Sequence, residues 1–363
     1  MNIAFVNSTR KWGGVKTWIL DFAERLSAYG HDVRVYGRQQ AFVDEARRRM
    51  GHGEAASFGF DLNPAAIAWF RRQFSEHRTD VVILNIGKDL ATAGVAARLL
   101  RIPVVQQIGL PGDIPHRLKT RLLHAWIAPK FLCSCRYIAD GFLTSLPYLR
   151  AEDLHVVLTA KRVAAGPLSV STPRRLVATQ QLNPDKGHET LLRALASLDI
   201  PFELDVAGTG SHEAYLKDLA VSLGIAERIR WHGFTTRVPE LLERADVFLL
   251  ASLSEGLPNT LQEALAQGLL PVARDVGGVR EVYTPELLPW LLPYAAGPAE
   301  FAEMLRKALT LPDEDFIGMK RAARQACATH CELDGKAREL EAWLADLTGQ
   351  AQTGQTGQTR STS

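Results

Sequence analysis

The sequence predicts an α/β protein made of two Rossmann-like, doubly wound halves, 1–165 and 174–333, facing each other across a cleft. Three observations carry this reading. Short runs of β-branched and aromatic residues alternate with amphipathic, helix-length stretches, the pattern of buried parallel strands joined by crossover helices. The alternation pauses at Ala164-Ala165-Gly166-Pro167-Leu168-Ser169, a turn-rich linker, and then restarts. A chain of 363 residues also holds two domains of ordinary size, each with its own core.

The first half opens on a strand at 3–6, followed by a polar turn that carries Gly13-Gly14. Trp18, Ile19, Phe22, Ala23 and Leu26 then recur at helical spacing, and 31–36 alternate as a strand. The glycines at this first β-α turn let backbone approach a ligand closely. The dinucleotide fingerprint is missing, since no Gly-x-Gly-x-x-Gly follows the strand and no acidic residue closes the next one. Further strands are expected at 81–84, 104–108, 131–134 and 154–158, with helices near 64–74, 90–100, 116–128 and 138–145.

The second half places strands at 175–179, 202–207, 229–234, 245–251, 270–273 and 290–292. Helices are expected at 189–198, 213–223, 238–244 and 298–309, with a last amphipathic helix at 334–347. Residues 348–363, built from Gly, Gln, Thr and Ser, read as a disordered tail.

One stretch organises the functional reading: Ser-Leu-Ser-Glu-Gly-Leu-Pro-Asn-Thr-Leu-Gln-Glu-Ala-Leu-Ala-Gln-Gly-Leu-Leu-Pro, 252–271. It leaves an apolar strand, makes a tight loop and enters a helix. Such a helix start offers unpaired N–H groups and a favourable dipole to an anion, phosphate above all. Two carboxylates, Glu255 and Glu263, bracket it. A carboxylate beside a phosphate is repelled, so both read as acceptors for hydroxyl groups such as those of sugars. A capped crossover with two solvated glutamates is the alternative from these residues alone.

Glu255 and Glu263, with seven residues between them and Gly256-Leu257-Pro258-Asn259 after the first, resemble the signature of the large family-four retaining glycosyltransferases of GT-B architecture. Gly277-Gly278-Val279-Arg280-Glu281-Val282, Gly13-Gly14 and the strand entry Gly30-His31-Asp32-Val33 are also similar to that family. The resemblance implies that Glu255 contacts the donor sugar, that Glu263 holds the ribose hydroxyls, and that the backbone at Gly256, Leu257, Asn259, Thr260 and Leu261 lies against diphosphate and sugar. It places Lys186 on the diphosphate and Gly13 and Gly14 opposite it. It also implies that the 334–347 helix packs back on the first domain, and that a metal ion is not required.

Two positions depart from the family pattern. Gln181 stands where an arginine is expected, and an amide cannot supply the charged fork that guanidinium gives phosphate. Gly109 stands where many relatives carry a histidine against the transferred sugar; Asp113 and His116 are the candidate substitutes. The expected activity is retaining sugar transfer from a nucleotide-diphosphate donor to a glycan or glycolipid, in cell-surface polysaccharide or lipopolysaccharide synthesis. The alternative is a catalytically impaired GT-B module that binds nucleotide or glycan.

The formal charge is only +2, but 1–165 carry 23 Lys+Arg against 14 Asp+Glu, which is +9, and the remainder carries −7. The first half is therefore expected to meet an anionic partner. Arg117, Arg121 and His124 group at three- and four-residue intervals, with the leucines among Leu118, Leu122, Leu123, Trp126 and Ile127 on the other side. This reads either as a core-facing helix with a solvated basic face or as a face for reversible contact with an anionic membrane or a phosphorylated glycolipid. Nucleic acid is not an expected partner. No apolar run reaches the ~20 residues of a membrane span, and the N-terminus lacks a signal-peptide layout, so cytoplasmic folding is expected. Cys133, Cys135, Cys327 and Cys331 lack zinc-knuckle spacing and read as buried thiols.

Overall fold

The structure, a computed structural model, describes residues 1–350, and the chain divides into two compact units. One unit comprises 1–158 with 333–350, and the other 159–332. The division at 158/159 falls ahead of the glycine-proline linker, so residues 159–165 are part of the second unit.

The first unit contains β1 (Asn2–Asn7), α1 (Gly14–Ala28), β2 (Asp32–Gly37), α2 (Gln40–Met50), β3 (Glu54–Ala55), α3 (Pro64–Glu76) and β4 (Val81–Leu84). It continues through α4 (Gly87–Asp89), a π-helical turn Leu90–Gly94, α5 (Val95–Leu99), β5 (Val104–Ile108), α6 (Leu118–Ile127), β6 (Lys130–Cys133), α7 (Arg136–Ser145) and β7 (Leu154–Val156). All seven strands are parallel, in the order β3-β2-β1-β4-β5-β6-β7. The central strands are buried on both faces, hence their unbroken apolar runs. Tyr36, Phe58, Phe70 and Phe74 fill one side of the core. The expected helix 90–100 takes a wide π turn at its start, and α6 begins two residues later than expected.

Helix α6 also corrects the expected basic face. Leu118, Leu122 and Trp126 point to solvent, at 73%, 60% and 46% exposure. His124 points inward instead, between Gln106 and Tyr148. The exposed surface of α6 is therefore an apolar stripe beside Arg117 and Arg121, not a basic face backed by leucines.

The second unit contains β8 (Arg175–Ala178), α8 (His188–Ala196), β9 (Glu203–Ala207), α9 (Glu213–Ser222), β10 (Ile229–Gly233), α10 (Val238–Arg244) and β11 (Val247–Leu250). After them come α11 (Asn259–Gln267), β12 (Leu270–Arg274), β13 (Leu291–Leu292), α12 (Pro298–Thr310) and α13 (Asp313–His330). Its six parallel strands run β10-β9-β8-β11-β12-β13. Helix α13 has no counterpart in the sequence reading. Apart from Phe316, its inward residues are Lys320, Ala323, Ala326 and Cys327, too small or polar to form a visible apolar stripe. Lys320 is stabilised inside by Asp246 (3.0 Å) and the carbonyl of Ser169 (2.7 Å).

The last helix, α14 (Leu333–Leu347), belongs to the first unit and packs on α1. Leu333, Ala337, Leu340 and Leu344 face inward, each leucine contributing about 2 kcal/mol by burial. Tyr29 Oη donates to Asp334 Oδ1 (2.9 Å), and His31 pairs with Glu341 (2.8 Å). The tail expectation needs one correction. Residues 348–350 form an ordered helix cap, with Gln350 N donating to Ala345 O (2.9 Å) and Gly349 at φ +73°. The rest of the expected disordered tail lies outside the described residues. All four cysteines are buried thiols.

Candidate functional site

Each sheet reverses its strand order once, between β1 and β4 in the first unit and between β8 and β11 in the second. Loops leaving the carboxyl ends on either side of such a point diverge, and a crevice opens between them. The residues selected from sequence lie chiefly on those loops.

In the second unit, β8 leads to Gln181 and Lys186, and β11 leads to Glu255. Two contacts fasten the loops together. Leu253 N donates to Asp185 O (2.7 Å). Gly187, at φ +68°, lies so close to Ala251 that a Cβ would sit 2.0 Å from its carbonyl oxygen, so the turn admits only glycine. Lys186 Nζ consequently reaches Glu255 Oε1 (2.9 Å), Ser254 O (3.0 Å) and Asp185 Oδ2 (3.3 Å). Burial pulls the Lys186 pKa down, but Glu255 and Asp185 outweigh it and hold the ammonium charged. From the other side Gly277 clamps the Glu255 loop: at φ +61° its Cβ would lie 2.3 Å from Glu255 O, and Gly278 N donates to Gly256 O (2.6 Å).

Helix α11 starts at Asn259 behind Pro258, whose carbonyl accepts from Gln262 N (3.4 Å). The amides of Asn259, Thr260 and Leu261 precede that first intrahelical bond and have no acceptor within the helix. Leu257 and Leu261 bury their side chains, so only their backbone faces outward chemistry. Asn259 Oδ1 is buried without a hydrogen-bond partner among the described residues. Glu263, one turn on, pairs with Lys161 Nζ (3.3 Å).

Gln181 is exposed, its Oε1 accepting from Asn183 Nδ2 (3.0 Å). Neither His188 nor Arg237 stands in for the expected arginine. His188 is buried under the turn, donating to Gln181 O (3.2 Å), and burial pushes its pKa down to about 4. Arg237 is forked onto Glu240 at the surface (2.6 Å).

In the first unit, Gly13 is the N-cap of α1. Its backbone is extended and a Cβ there would meet nothing within 4 Å, so packing does not demand a glycine. The loop before it is held by Lys16, which is buried and donates to Thr9 O (2.9 Å), Lys11 O (2.7 Å) and Gln39 Oε1 (2.8 Å). Burial lowers its pKa to about 8, against the raising influence of Asp89. Asp89 accepts from Ser8 N (2.9 Å) and Ile86 N (3.0 Å), and full burial raises its pKa to about 6. Asn7, Asn85 and Gln107 complete a buried polar chain across the switch point.

Gly109 follows β5 with room beside it, the nearest atoms to a Cβ lying 3.9 Å away. Asp113 is occupied in shaping this loop, accepting from Gly109 N (2.9 Å) and Leu110 N (2.8 Å). His116 is exposed ahead of α6, apart from that carboxylate cap. Asp113 borders a pocket of about 270 Å³ with Lys88, Lys119, Arg117 and His124. His124 is neutral there, its pKa lowered by burial to about 4.

Three residues that shape these loops, Lys16, Asp89 and Lys161, are not singled out by the sequence reading. Lys16 carries a signal, since it shares the helical face of Ile19, Leu20 and Ala23. Lys161 and Asp89 are brought in by tertiary structure alone.

Comparison with known proteins identifies the family. The profile of the glycosyl transferases group 1 matches residues 164–326, and that of glycosyltransferase family 4 matches 12–160. The chain belongs to this glycosyltransferase family. The amylovoran biosynthesis glycosyltransferase AmsK of Erwinia amylovora is 30% identical over 168 residues, 43% of this chain and 41% of that protein. The match thus spans about two fifths of the relative's length. A glycosyltransferase from Rickettsia africae superposes with a TM-score of 0.82 at 16% identity, covering 95% of this chain and 98% of the other. Alr3699/HepE of Anabaena, solved in complex with UDP, superposes at 0.80 with 17% identity, covering 95% and 100%. These two likenesses establish the fold, two Rossmann-like α/β units of the GT-B class.

Proposed function

We propose that this member of the family is a retaining glycosyltransferase. It moves a sugar from a nucleotide-diphosphate donor to a glycan or glycolipid in bacterial cell-surface polysaccharide or lipopolysaccharide synthesis. The observation that carries the reading is the convergence of Lys186, Glu255 and the α11 start at one switch point, with Glu263 a turn further on. That set offers a fixed cation and free amides for a diphosphate, and carboxylates for hydroxyl groups.

In the proposed reaction the bond between the anomeric carbon and the phosphate oxygen breaks, and the diphosphate leaves with the electron pair. Lys186 and the amides of Asn259, Thr260 and Leu261 stabilise the growing negative charge. The acceptor oxygen bonds to the same face of the sugar, and its proton passes to the departing phosphate. Glu255 orients the sugar and Glu263 the ribose. No metal ion takes part in this scheme.

The acceptor is assigned to the first unit, beside Gly13, Gly14 and Gly109, with the enzyme working at the inner face of the plasma membrane. The exposed stripe of Leu118, Leu122 and Trp126 with Arg117 and Arg121 supports that assignment, because an apolar line flanked by cations suits an anionic lipid interface. Among the described residues no helix is long and apolar enough to cross a membrane.

Turnover tests the proposal. Wild-type protein incubated with UDP-, GDP- or ADP-sugars releases nucleoside diphosphate from at least one of them. Glu255→Ala abolishes the release while its circular dichroism spectrum stays unchanged. Tight donor binding by the wild type without any release favours the impaired-module alternative, for which Gln181 and Gly109 speak.

A further inference from the structure

Residues 159–164, the entry into the second unit, are fastened along α11 at three successive points. Gln262 Nε2 donates to Thr159 Oγ1, Lys161 Nζ pairs with Glu263 Oε1 (3.3 Å), and Ala164 N donates to Ala266 O (2.9 Å). The backbone of Lys161 is itself fixed from the other side, its N–H donating to Cys331 O (2.9 Å) in a parallel bridge with Glu332. The ammonium is thus delivered to Glu263 by a rigid segment, and the Lys161 side chain is 11% exposed against 27% for Glu263.

We propose that Lys161 is the positioning residue of the ribose subsite: it fixes the Glu263 carboxylate for the 2′- and 3′-hydroxyls and thereby sets the preference for ribonucleotides over deoxyribonucleotides. The inference rests on the reading of Glu263 as the ribose acceptor. A free glutamate side chain has several rotamers, and binding must meet the cost of selecting one. Lys161 makes that selection before the ligand arrives. An ionised carboxylate has about four acceptor positions, so one ammonium on Oε1 leaves enough for two hydroxyl donors. A carboxylate held in this way penalises a ligand lacking a hydroxyl, because its lone pair is left without the donor it is set up to meet.

The test is calorimetric titration with UDP, GDP and ADP and with their 2′-deoxy counterparts, on wild type, Lys161→Met, Lys161→Arg, Glu263→Gln and Lys161→Met/Glu263→Gln. The wild type is expected to prefer its ribonucleotide by about tenfold or more, consistent with a charged hydrogen bond. In Lys161→Met most of that ratio is lost, while Lys161→Arg retains it. Glu263→Gln and the double variant, which lacks both members of the pair, give the same low ratio. A Lys161→Met protein that keeps the wild-type ratio overturns the inference, as does a double variant less selective than Glu263→Gln if Lys161→Met does not fold. A wild type that binds none of the six ligands overturns the donor reading itself. One that binds both sugar forms equally overturns the role of Glu263, and the inference with it.

Discussion

Lys186 Nζ and Glu255 Oε1 lie 2.9 Å apart, with the lysine side chain 16% exposed and the glutamate 11%. The pair joins the two loops that flank the switch point, so the cation assigned to the diphosphate and the carboxylate assigned to the sugar are held by one another. Removing one partner leaves a nearly buried charge without its counter-ion. Lys186→Met is therefore expected to lower stability by about 3–5 kcal/mol and to abolish nucleotide-diphosphate binding. Lys186→Met/Glu255→Gln recovers most of the stability and none of the binding. Denaturant unfolding with parallel calorimetry measures both. A single variant as stable as wild type contradicts the coupling.

Gln181→Arg should tighten nucleoside-diphosphate binding. Gln181 is exposed and its amide oxygen accepts from Asn183 across the turn, so a longer side chain has room. A charge-assisted hydrogen bond contributes roughly 1–3 kcal/mol, which is up to about a hundredfold in Kd. Unchanged or weaker binding would mean that phosphate is held without a cation from this position.

Acid should destabilise the second unit between about pH 6.5 and 4. His188 there is pushed by burial from 6.5 down to about 4. In the first unit the same lowering at His124 is opposed by Asp89, whose pKa is raised to about 6. With the folded pKa of His188 below the unfolded one, the unfolded chain binds more protons in this window. Stability is full above 6.5 and is lost as pH falls towards 4, by up to about 3 kcal/mol for this histidine. His188→Gln keeps a donor for Gln181 O and removes the titration, so its unfolding free energy should depend less steeply on pH across that range. An unchanged slope refutes the assignment.

The α6 surface predicts vesicle binding with two components. Each basic side chain near an anionic bilayer contributes about 1 kcal/mol and is screened by salt. The buried area of Leu118, Leu122 and Trp126 is not. Cosedimentation should favour anionic over neutral vesicles at low salt and leave a smaller salt-resistant fraction. Leu118→Ser/Leu122→Ser/Trp126→Ser should remove that fraction. Equal partitioning on both vesicle types, or none on either, contradicts this.

Fold and site are legible in the sequence wherever the chemistry uses residues close together in the chain. Parallel strands buried on both faces announce themselves as apolar runs, and the Glu255–Glu263 loop and helix carry their spacing in one continuous stretch. The rest depends on the third dimension. On α6, apolar residues lie on two sides: Leu118, Leu122 and Trp126 are exposed while Leu123 and Ile127 pack on the core, and sequence alone does not say which of them faces inward. Helix α13 escapes a reading by apolar pattern because close packing on α11 selects alanine and cysteine, which leave little hydrophobic signal. Lys161 and Glu263 are about a hundred positions apart in the chain, and only the path of 159–164 along α11 joins them.

The central claim is that the second unit binds a nucleoside diphosphate between Lys186, the start of α11 and the two glutamates. Calorimetric titration of the full chain with UDP, GDP and ADP, free and sugar-bearing, tests it most directly. The account predicts that at least one of them binds at or below millimolar concentration and that Lys186→Met removes the binding. Absence of binding by all of them to a folded wild-type protein would contradict it.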